Sequence, residues 1–214
     1  MKVLYSDKDI AVVIKPAGVS SQASHDFNDD MISLIRKELG CTEVYVVHRL
    51  DQMVSGVMVY ALNKDAAAKL SAQAAGGGFN KKYQALLDGI PKEKKGELTD
   101  YLVKDETSNL SRVCTPKTKG AREAKLTYKV IESKFTGGKD GRQLCKVEVG
   151  LITGRHHQIR VQFGSRGCPI IGDVKYGYKG EAEPIALAAV ELAFSHPKTK
   201  KAMRYTYDWD RNIS

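Results

Sequence analysis

Short runs in which apolar and polar residues alternate recur along the chain and predict a protein with more strands than helices. The first two runs are separated by the polar turn Ser6–Asp9, which predicts a β-hairpin at the start of the chain. Several later runs follow one another with no helical period between them, which favours antiparallel or mixed pairing. The predicted strands are Val3–Tyr5, Ile10–Ile14, Val44–Val47, Gly56–Leu62, Lys82–Leu87, Lys125–Ile131, Val147–Leu151, Ala188–Phe194 and Met203–Trp209.

Two segments have the helical period instead. Residues 31–39 carry apolar side chains three and four positions apart, with Asp29 or Asp30 as the N-cap and Gly40 as the stop. Asn63 is expected to cap a second helix that runs from Lys64 to Ala75 and ends in three glycines.

The connections complete the fold prediction. Residues 91–97 and 133–141 are rich in Lys and Gly and are expected to be loops. No repeat and no linker divides the sequence. We therefore predict a single α+β domain over residues 1–214, with a mixed, mostly antiparallel sheet flanked by helices.

Basic residues outnumber acidic ones, and the excess lies in the second half of the chain. Of the 214 residues, 34 are Lys or Arg and 25 are Asp or Glu, a net charge of +9. Residues 1–107 hold 14 bases and 15 acids, whereas residues 108–214 hold 20 and 10. Such a surface suits a polyanion, because neutralised phosphates release counterions. A solvated, lysine-rich face would have the same composition, so charge alone leaves both interpretations open.

The familiar signatures of cofactor and metal chemistry do not occur in the sequence. There is no G-x-x-x-x-G-K loop, dinucleotide fingerprint or G-x-S-x-G elbow, so we expect no nucleotide cofactor. The five histidines lack the spacing of a ligand pair, and we expect no metal. The four cysteines form no C-x-x-C pair, which predicts reduced thiols in a cytoplasmic protein. No apolar run approaches the roughly 20 residues of a membrane span.

The segment His48–Gly56 is the first candidate for chemistry. It places the carboxylate of Asp51 in a polar turn between two apolar strands, with Arg49 and His48 close in sequence. Turns between rigid strands commonly display reacting groups. Asp is also a common turn-former, so a purely structural role for Asp51 explains the same pattern.

The segment Ile152–Phe163 is the second candidate, and a helix is expected to begin in it after Gly154. On one helix Arg155 and Arg160 would diverge by about 140° and could not reach one point. We therefore expect separate roles, in which one guanidinium orients a carboxylate and the other holds a phosphate. Two solvated surface charges would fit equally well.

A third candidate is Tyr83, which lies in a predicted strand next to lysines. An aromatic ring among basic residues suits stacking on a nucleobase, an interaction worth roughly 1–3 kcal/mol. A tyrosine in a strand is equally suited to ordinary cross-strand packing.

Taken together, these segments contain several motifs in a fixed order along the chain. They are Lys15-Pro16-Ala17-Gly18, His48-Arg49-Leu50-Asp51 with Ser55-Gly56, Lys82-Tyr83, Gly154-Arg155 with His157-Gln158-Ile159-Arg160, Gly167-Cys168-Pro169-Ile170, Gly172-Asp173 and Tyr176-Gly177. The set resembles the signature of the RluA-type pseudouridine synthases and covers nearly the whole chain. The combination of HRLD and G-R-x-H-Q-I-R is highly specific.

The resemblance implies a pseudouridine synthase fold with a central catalytic cleft. It implies an isomerase that converts uridines of structured RNA, rRNA or tRNA, to pseudouridine by base flipping and without a cofactor. Asp51 would be the nucleophile that detaches and rotates uracil, by attack at ribose C1′ or uracil C6. Arg160 would pair with Asp51, Tyr83 would stack on the target base, and Arg49 would fill the space that the flipped nucleotide leaves. The other residues expected to contact RNA are His48, Lys82, Arg155 and His157.

Some features depart from the family pattern. Val54 stands where the family has Thr, and Gly76–Gly78 stands where relatives carry Arg. We expect no S4-type RNA-binding domain before the motifs, and we therefore expect the catalytic domain or partners to select the substrate. We expect a monomer that binds RNA and no membrane. The competing hypotheses are an RNA-folding protein of the same fold without turnover and a basic, ribosome-associated module.

Overall fold

A computed structural model describes residues 1–23, 30–135, 141–181 and 184–211. None of the helices in these ranges is long and apolar enough to cross a bilayer. The chain forms two compact units: Met1–Lys81 with Ala188–Trp209, called the first unit, and Lys82–Leu187 with Asp210–Ser214, called the second unit. The elements in chain order are β1 (Lys2–Ser6), β2 (Ile10–Lys15), α1 (Met31–Leu39), β3 (Tyr45–Val46), β4 (Ser55–Ala61), α2 (Lys64–Ala75), β5 (Asn80–Asp88), β6 (Lys95–Asp105), β7 (Leu110–Cys114), β8 (Arg122–Phe135), β9 (Gln143–Leu151), α3 (Gln158–Gly164), a 3₁₀ turn (Val174–Tyr176), β10 (Leu187–Ser195) and β11 (Ala202–Thr206).

The first unit is built around the predicted hairpin. β1 pairs antiparallel with β2, and β2 pairs antiparallel with β4. The start of β4 pairs in parallel with β10, which pairs antiparallel with β11, and the end of β4 pairs antiparallel with β3. Apolar side chains of three of these strands meet α2 in one core. Its members are Ile10, Val12, Val57, Val59, Ala61, Ala66, Leu70, Phe79, Leu192 and Phe194.

The two predicted helices of this unit begin and end where their local signals lie. The side chain of Asp30 accepts a hydrogen bond from the backbone N–H of Ser33, and Gly40 ends α1 in the left-handed conformation with φ 62°. The side chain of Asn63 accepts a backbone N–H from the first turn of α2. Asp29, the alternative cap of α1, lies outside the described residues. Capping chemistry thus defines both helices.

The second unit contains an antiparallel sheet in the order β5–β9–β8–β6–β7. Helix α3 packs against one face of this sheet, where the ring of Phe163 contacts the ring of Tyr128 edge to face at 5.6 Å. Val161 of the same helix packs against Leu102 and Ala124. All residues of α3 from Gln158 to Phe163 are buried, so its polar side chains are enclosed as well as its apolar ones.

The α+β class and the mixed, mostly antiparallel sheet are confirmed, but two strands were not predicted. Asp100 of β6 is on the α3-facing side together with Leu98 and Leu102. Because this inward-facing residue is polar, it interrupts the apolar alternation that predicts a strand. Asp100 is satisfied there by Arg166, which donates to both of its carboxylate oxygens. The expectation of one domain over residues 1–214 stays a prediction.

The predicted loops and the last strand also need correction. Lys95 already belongs to β6, so the loop at 91–97 is shorter than expected. Residues 133–135 belong to β8, whereas 136–140 lie outside the described residues. The last strand ends at Thr206 rather than Trp209.

Candidate active site

Asp51 lies in the first unit, in a tight turn between β3 and β4. The backbone N–H of Val54 donates to the carbonyl oxygen of Asp51 over 3.0 Å and closes the turn. Val54 is buried and Asp51 is half-buried. The predicted polar turn between two strands is therefore confirmed, and a carboxylate stands at its first position.

A buried lysine anchors this turn from the neighbouring strand. Lys15, the last residue of β2, is 0% exposed. Its ammonium donates to the carbonyl oxygens of Val19 at 2.7 Å, Gln52 at 2.8 Å and Pro16 at 3.0 Å. The three N–H donors of an ammonium match these three acceptors. Lys15 thereby joins the loop after β2 to the Asp51 turn.

Burial also changes the acidity of this lysine. Loss of hydration lowers the pKa of Lys15 to about 8, and the negative charge of Asp51 opposes the shift. Sequence analysis included Lys15 only as part of the first motif of the family resemblance and gave it no role in the site. The available signal was a single lysine that follows the apolar run Ile10–Ile14 directly before proline.

His48 and Arg49 precede the turn and have different surroundings. Nε2 of His48 accepts the backbone N–H of Val59 over 3.1 Å, and the His48 ring packs edge-on against Phe79. Burial, and to a smaller extent the positive charge of a nearby lysine, lowers the pKa of His48 well below its usual value. The ring is therefore neutral at pH 7. Arg49 is exposed, and its Nη1 donates to the side-chain oxygen of Gln22. The histidine supports β4, whereas the arginine faces solvent.

Arg160 lies in the second unit, on α3, and is held from two sides. Its Nε and Nη2 donate to the two carboxylate oxygens of Asp173 at 2.7 and 2.8 Å. The guanidinium carbon lies 5.0 Å from the centre of the Tyr176 ring. Arg160 is 5% exposed and Asp173 is 1% exposed. A two-bond pair of this kind fixes the plane of the guanidinium as well as its position.

The loop before α3 is tied to β8. The side-chain oxygen of Gln158 accepts the backbone N–H of Arg155, and its amide nitrogen donates to the carbonyl oxygen of Lys125. Nε of Arg155 donates to the carbonyl oxygen of Glu123 over 2.8 Å. Because α3 begins at Gln158, the expectation that Arg155 shares a helix with Arg160 is wrong. Arg155 lies in the loop before α3 and Arg160 lies within α3, so the angle predicted for two positions of one helix does not apply.

His157 connects this loop to Tyr176. Nδ1 of His157 and the hydroxyl of Tyr176 share a hydrogen bond of 2.7 Å, and the same hydroxyl accepts the backbone N–H of Ser111. The ring of His157 stacks on His156 with the centres 3.7 Å apart. His157 has φ 52°, a left-handed conformation that is costly for a residue with a side chain. Tyr176 thus contacts His157 through its hydroxyl and Arg160 through its ring.

Tyr83 and Lys82 are adjacent on β5 and point to opposite faces of its sheet. Tyr83 lies opposite Val149, which lies opposite Tyr128, so these side chains share the face that α3 covers. Tyr83 is 6% exposed. Lys82 stands on the other face, where its ammonium is 4.0 Å from a carboxylate oxygen of Glu148. Tyr83 and Arg160 therefore share one face of the second unit, and Lys82 does not.

One group of potential metal ligands occurs in the described ranges, and it is engaged in structural bonds. It consists of Asp7, Asp9 and His196 in the first unit. Nδ1 of His196 faces the backbone N–H groups of Lys198 and Thr199, and Nε2 bonds the Asp7 carboxylate at 2.9 Å. The carboxylate of Asp7 also accepts the backbone N–H of Asp9. These bonds join the β1–β2 hairpin to the turn after β10.

The sequence of the chain matches known proteins over most of its length. A family model described as RNA pseudouridylate synthase matches residues 9–165. The chain belongs to the RNA pseudouridylate synthase family. Two relatives from Vibrio parahaemolyticus, named dual-specificity RNA pseudouridine synthase RluA and tRNA pseudouridine synthase C, are 34% and 30% identical to this pseudouridylate synthase. The alignments cover 92% and 95% of the chain and 78% and 88% of those relatives.

A solved structure supports the fold of this pseudouridylate synthase. Human RNA Pseudouridylate Synthase Domain Containing 4 superimposes with a TM-score of 0.78 at 24% identity, over 98% of this chain and 89% of that one. The chain is therefore an RNA-modifying isomerase that forms pseudouridine in RNA, and the predicted family and reaction are confirmed.

We expect pseudouridine formation by this synthase to decline as pH rises through about 8. Below that pH the Lys15 ammonium has three N–H donors for its three carbonyl acceptors, whereas the neutral amine has two. Deprotonation also removes the positive charge that acts on Asp51. The measurement is the single-turnover rate on uracil-containing RNA from about pH 6 to about pH 10.

Lys15→Arg is the control for this profile, because arginine keeps its charge over the whole range. Thermal unfolding first confirms that the variant is folded. Its rate should not decline near pH 8. A decline that is the same in the variant and the parent would assign the titration to another group.

Proposed function

We propose that Asp51 is the nucleophile of this pseudouridine synthase. The observation that carries the proposal is the anchored turn: a half-buried carboxylate stands where Lys15 fixes the backbone through the Gln52 carbonyl. In the net reaction the bond from uracil N1 to ribose C1′ breaks and a bond from C5 to C1′ forms. C5 loses a proton and N1 gains one, so no oxidant, reductant or energy source is consumed.

Arg160 and Tyr83 complete the proposed catalytic set. Arg160 would be the catalytic arginine, and its burial and its two-bond pairing with Asp173 make it a well-oriented donor. Tyr83 would stack on the extruded uracil, and it shares a sheet face with α3. Base extrusion costs a few kcal/mol, which stacking offsets.

The proposed RNA contacts come from both units. Arg49 is exposed and has the length to occupy the space of a flipped nucleotide. Arg155 and His157 lie directly before α3, where they would contact the RNA backbone. His48 would act by supporting β4 through its bond to Val59, and Lys82 would meet RNA on the face opposite Tyr83.

The proposed substrate is a structured RNA, tRNA or rRNA, with the target uridine in a stem-loop. One of the two Vibrio relatives is named a tRNA pseudouridine synthase, and the other is named a dual-specificity RNA pseudouridine synthase. A uridine that is already poorly paired is the least costly to extrude. We further propose that the protein acts in the cytoplasm as a monomer without a nucleotide cofactor.

Mapping of pseudouridines tests this function directly. Total tRNA and rRNA from cells with and without the protein are treated with carbodiimide, and the adduct sites are compared. We expect at least one site that disappears without the protein and returns when purified protein is added to the RNA. Activity on no tRNA or rRNA pool would defeat the substrate proposal and favour an RNA-folding role without turnover.

A further inference from the structure

We propose that the turn between β10 and β11, with two tyrosines beside it, is a second RNA-binding surface of the first unit. Residues 197–201 of this turn are called the lysine turn. The surface would bind the backbone of the substrate RNA outside the segment that contains the target uridine. The inference rests on the proposed structured RNA substrate and assigns a new place on the protein to it.

The lysine turn carries a positive charge that its own segment does not neutralise. Residues 195–207 contain four Lys or Arg and no Asp or Glu. Lys198, Lys200 and Lys201 are exposed, and none of them forms an ion pair with another residue that the structure describes. Exposed ammonium groups of this kind bind phosphates, because each contact releases a counterion from the RNA. The charge of the turn therefore suits a nucleic acid backbone.

The turn is rigid because a buried histidine organises it. Nδ1 of His196 accepts the backbone N–H groups of Lys198 and Thr199, so the ring proton is on Nε2, which donates to the carboxylate of Asp7. The carbonyl oxygen of His196 accepts the N–H of Lys200, and its N–H donates to the carbonyl oxygen of Lys201. His196 is 2% exposed. The lysines thus stand on a fixed backbone, which reduces the entropy lost on binding.

The backbone of Lys200 supports a role for its charge. Lys200 has φ 61°, the left-handed region in which glycine has no steric cost and a side chain does. A lysine at this position gives up some stability compared with a glycine. Residues in such conformations are concentrated at functional sites. The side chain of Lys200 accounts for this cost if it binds a ligand.

Two tyrosines add an aromatic surface next to the charge. An open groove of about 430 Å³ adjoins the turn, and its lining includes Tyr5, Asp7, Lys201 and Tyr205. The rings of Tyr5 and Tyr205 are 6.0 Å apart and both are half-buried. Aromatic rings beside a basic groove suit stacking on unpaired bases.

The one carboxylate in the lining of this groove is already occupied. Oδ1 of Asp7 accepts the backbone N–H groups of Asp9 and Ile10. Oδ2 accepts the hydroxyl of Tyr5 and Nε2 of His196. Because four donors surround this carboxylate, its charge is partly compensated within the protein. Asp7 therefore supports the groove and leaves binding to the lysines and the rings.

This surface is at the opposite end of the first unit from Asp51. The start of β4, directly after the Asp51 turn, pairs in parallel with Ala188 at the start of β10. β10 then continues to Ser195, seven residues further on, which is about 23 Å at the rise of an extended strand. The lysine turn follows that end. A nucleotide bound at Asp51 and its direct neighbours could not also reach the turn, so the contact belongs to another segment of the RNA.

The first experiment compares two variants that each lose three lysines of the same spacing. The turn variant combines Lys198→Gln, Lys200→Gln and Lys201→Gln. The control variant combines Lys92→Gln, Lys94→Gln and Lys95→Gln, from a Pro-Lys-Glu-Lys-Lys segment that matches the Pro-Lys-Thr-Lys-Lys of the turn at four of five positions. The control lysines are exposed, lie in the second unit and have an acidic residue among them. Both variants therefore lower the net charge equally.

Binding of labelled total tRNA and of labelled rRNA fragments is measured at several salt concentrations. We expect the turn variant to bind about 30-fold more weakly at about 0.1 M salt, with a salt slope lower by about two to three units. The control variant should bind within about 3-fold of the parent. In pseudouridine formation the turn variant should have a raised KM and an unchanged kcat, since a remote contact holds the substrate and the transition state equally.

The outcomes separate this inference from the proposed substrate. Equal losses in the two variants would overturn the inference, because net charge would then explain them. RNA binding by the parent that is unchanged in the turn variant would overturn it as well and leave the substrate proposal intact. A parent that binds neither RNA pool would overturn both. Thermal unfolding of each variant should match that of the parent, because the bonds that hold the turn come from its backbone and His196.

The second experiment tests the aromatic part of the surface with Tyr205→Leu. Leucine keeps apolar packing against the core of the first unit and removes the ring from the groove. We expect RNA binding to weaken about 10-fold with kcat unchanged, as for the loss of one stacked base. Tyr45→Leu is the control, because Tyr45 packs against the same core but does not line the groove. Equal weakening in both variants would overturn the stacking role.

Discussion

Asp51→Asn should reduce pseudouridine formation by at least about 10⁴-fold while RNA binding stays within about 3-fold of the parent. The amide has the shape of the carboxylate but lacks its nucleophilic oxygen. The turn should survive, because the bond that closes it joins the backbone N–H of Val54 to the backbone carbonyl of residue 51. Product is measured by carbodiimide mapping, and binding is measured by titration of labelled RNA.

Asp65→Asn is the matched control for this change. Asp65 is an exposed carboxylate of the first unit whose side chain pairs with Lys69 at the surface of α2. Surface pairs contribute little, so activity and stability should both stay near the parent values. A folded Asp51→Asn protein with normal activity would contradict the nucleophile assignment. Joint loss of binding, activity and thermal transition would indicate misfolding.

Gly56→Ala should destabilise the first unit by about 4 kcal/mol or more. Gly56 starts β4 directly after the Asp51 turn and has φ +138°. A Cβ at this position would lie 2.3 Å from the carbonyl oxygen and 2.6 Å from the Cβ of Ala189, its parallel partner on β10. Most of the clash is with backbone, so β4 and β10 would have to separate. Chemical denaturation measured by circular dichroism reports the loss.

Gly77→Ala isolates the conformational part of that cost. Gly77 also has positive φ, +75°, but no heavy atom lies within 4 Å of a Cβ built there. We expect a loss of only about 1–2 kcal/mol, since the change adds strain without a collision. Similar losses at Gly56 and Gly77 would show that the close approach of β4 and β10 is unimportant.

The elements that sequence analysis predicted correctly are those with complete local signals. Asn63 and the three glycines from Gly76 bracket α2, and its bounds are those predicted. The hairpin at the start of the chain has alternation in both strands and a polar turn between them. β6 was missed because Asp100 faces the buried side, and its partner Arg166 lies 66 residues further along the chain. No short stretch of sequence contains both members of this ion pair.

Sequence analysis likewise identified some residues of the candidate site and missed the role of others. Asp51 stands out from its own surroundings, because a carboxylate in a turn between apolar strands is visible locally. The role of Lys15 depends on the Gln52 carbonyl, 37 residues further along the chain, and the role of Asp173 depends on Arg160, 13 residues before it. A charge that is buried for a distant partner looks like an ordinary surface charge in the sequence. Such supporting residues become visible only when the fold brings the partners together.

The alternation of Lys82 and Tyr83 limits how the length of β5 can change. Inserting one residue just before this pair, with the downstream register kept, would leave both side chains in place and move only the chain before them. Deleting one residue between the pair and Asp88 would exchange the two faces, so that an ammonium would replace the phenol beside Val149. Removing two residues there would restore the alternation. Homologous chains should therefore vary in length between this pair and Asp88 only by even steps, and odd changes should fall before the pair or in the loops at the ends of the strand.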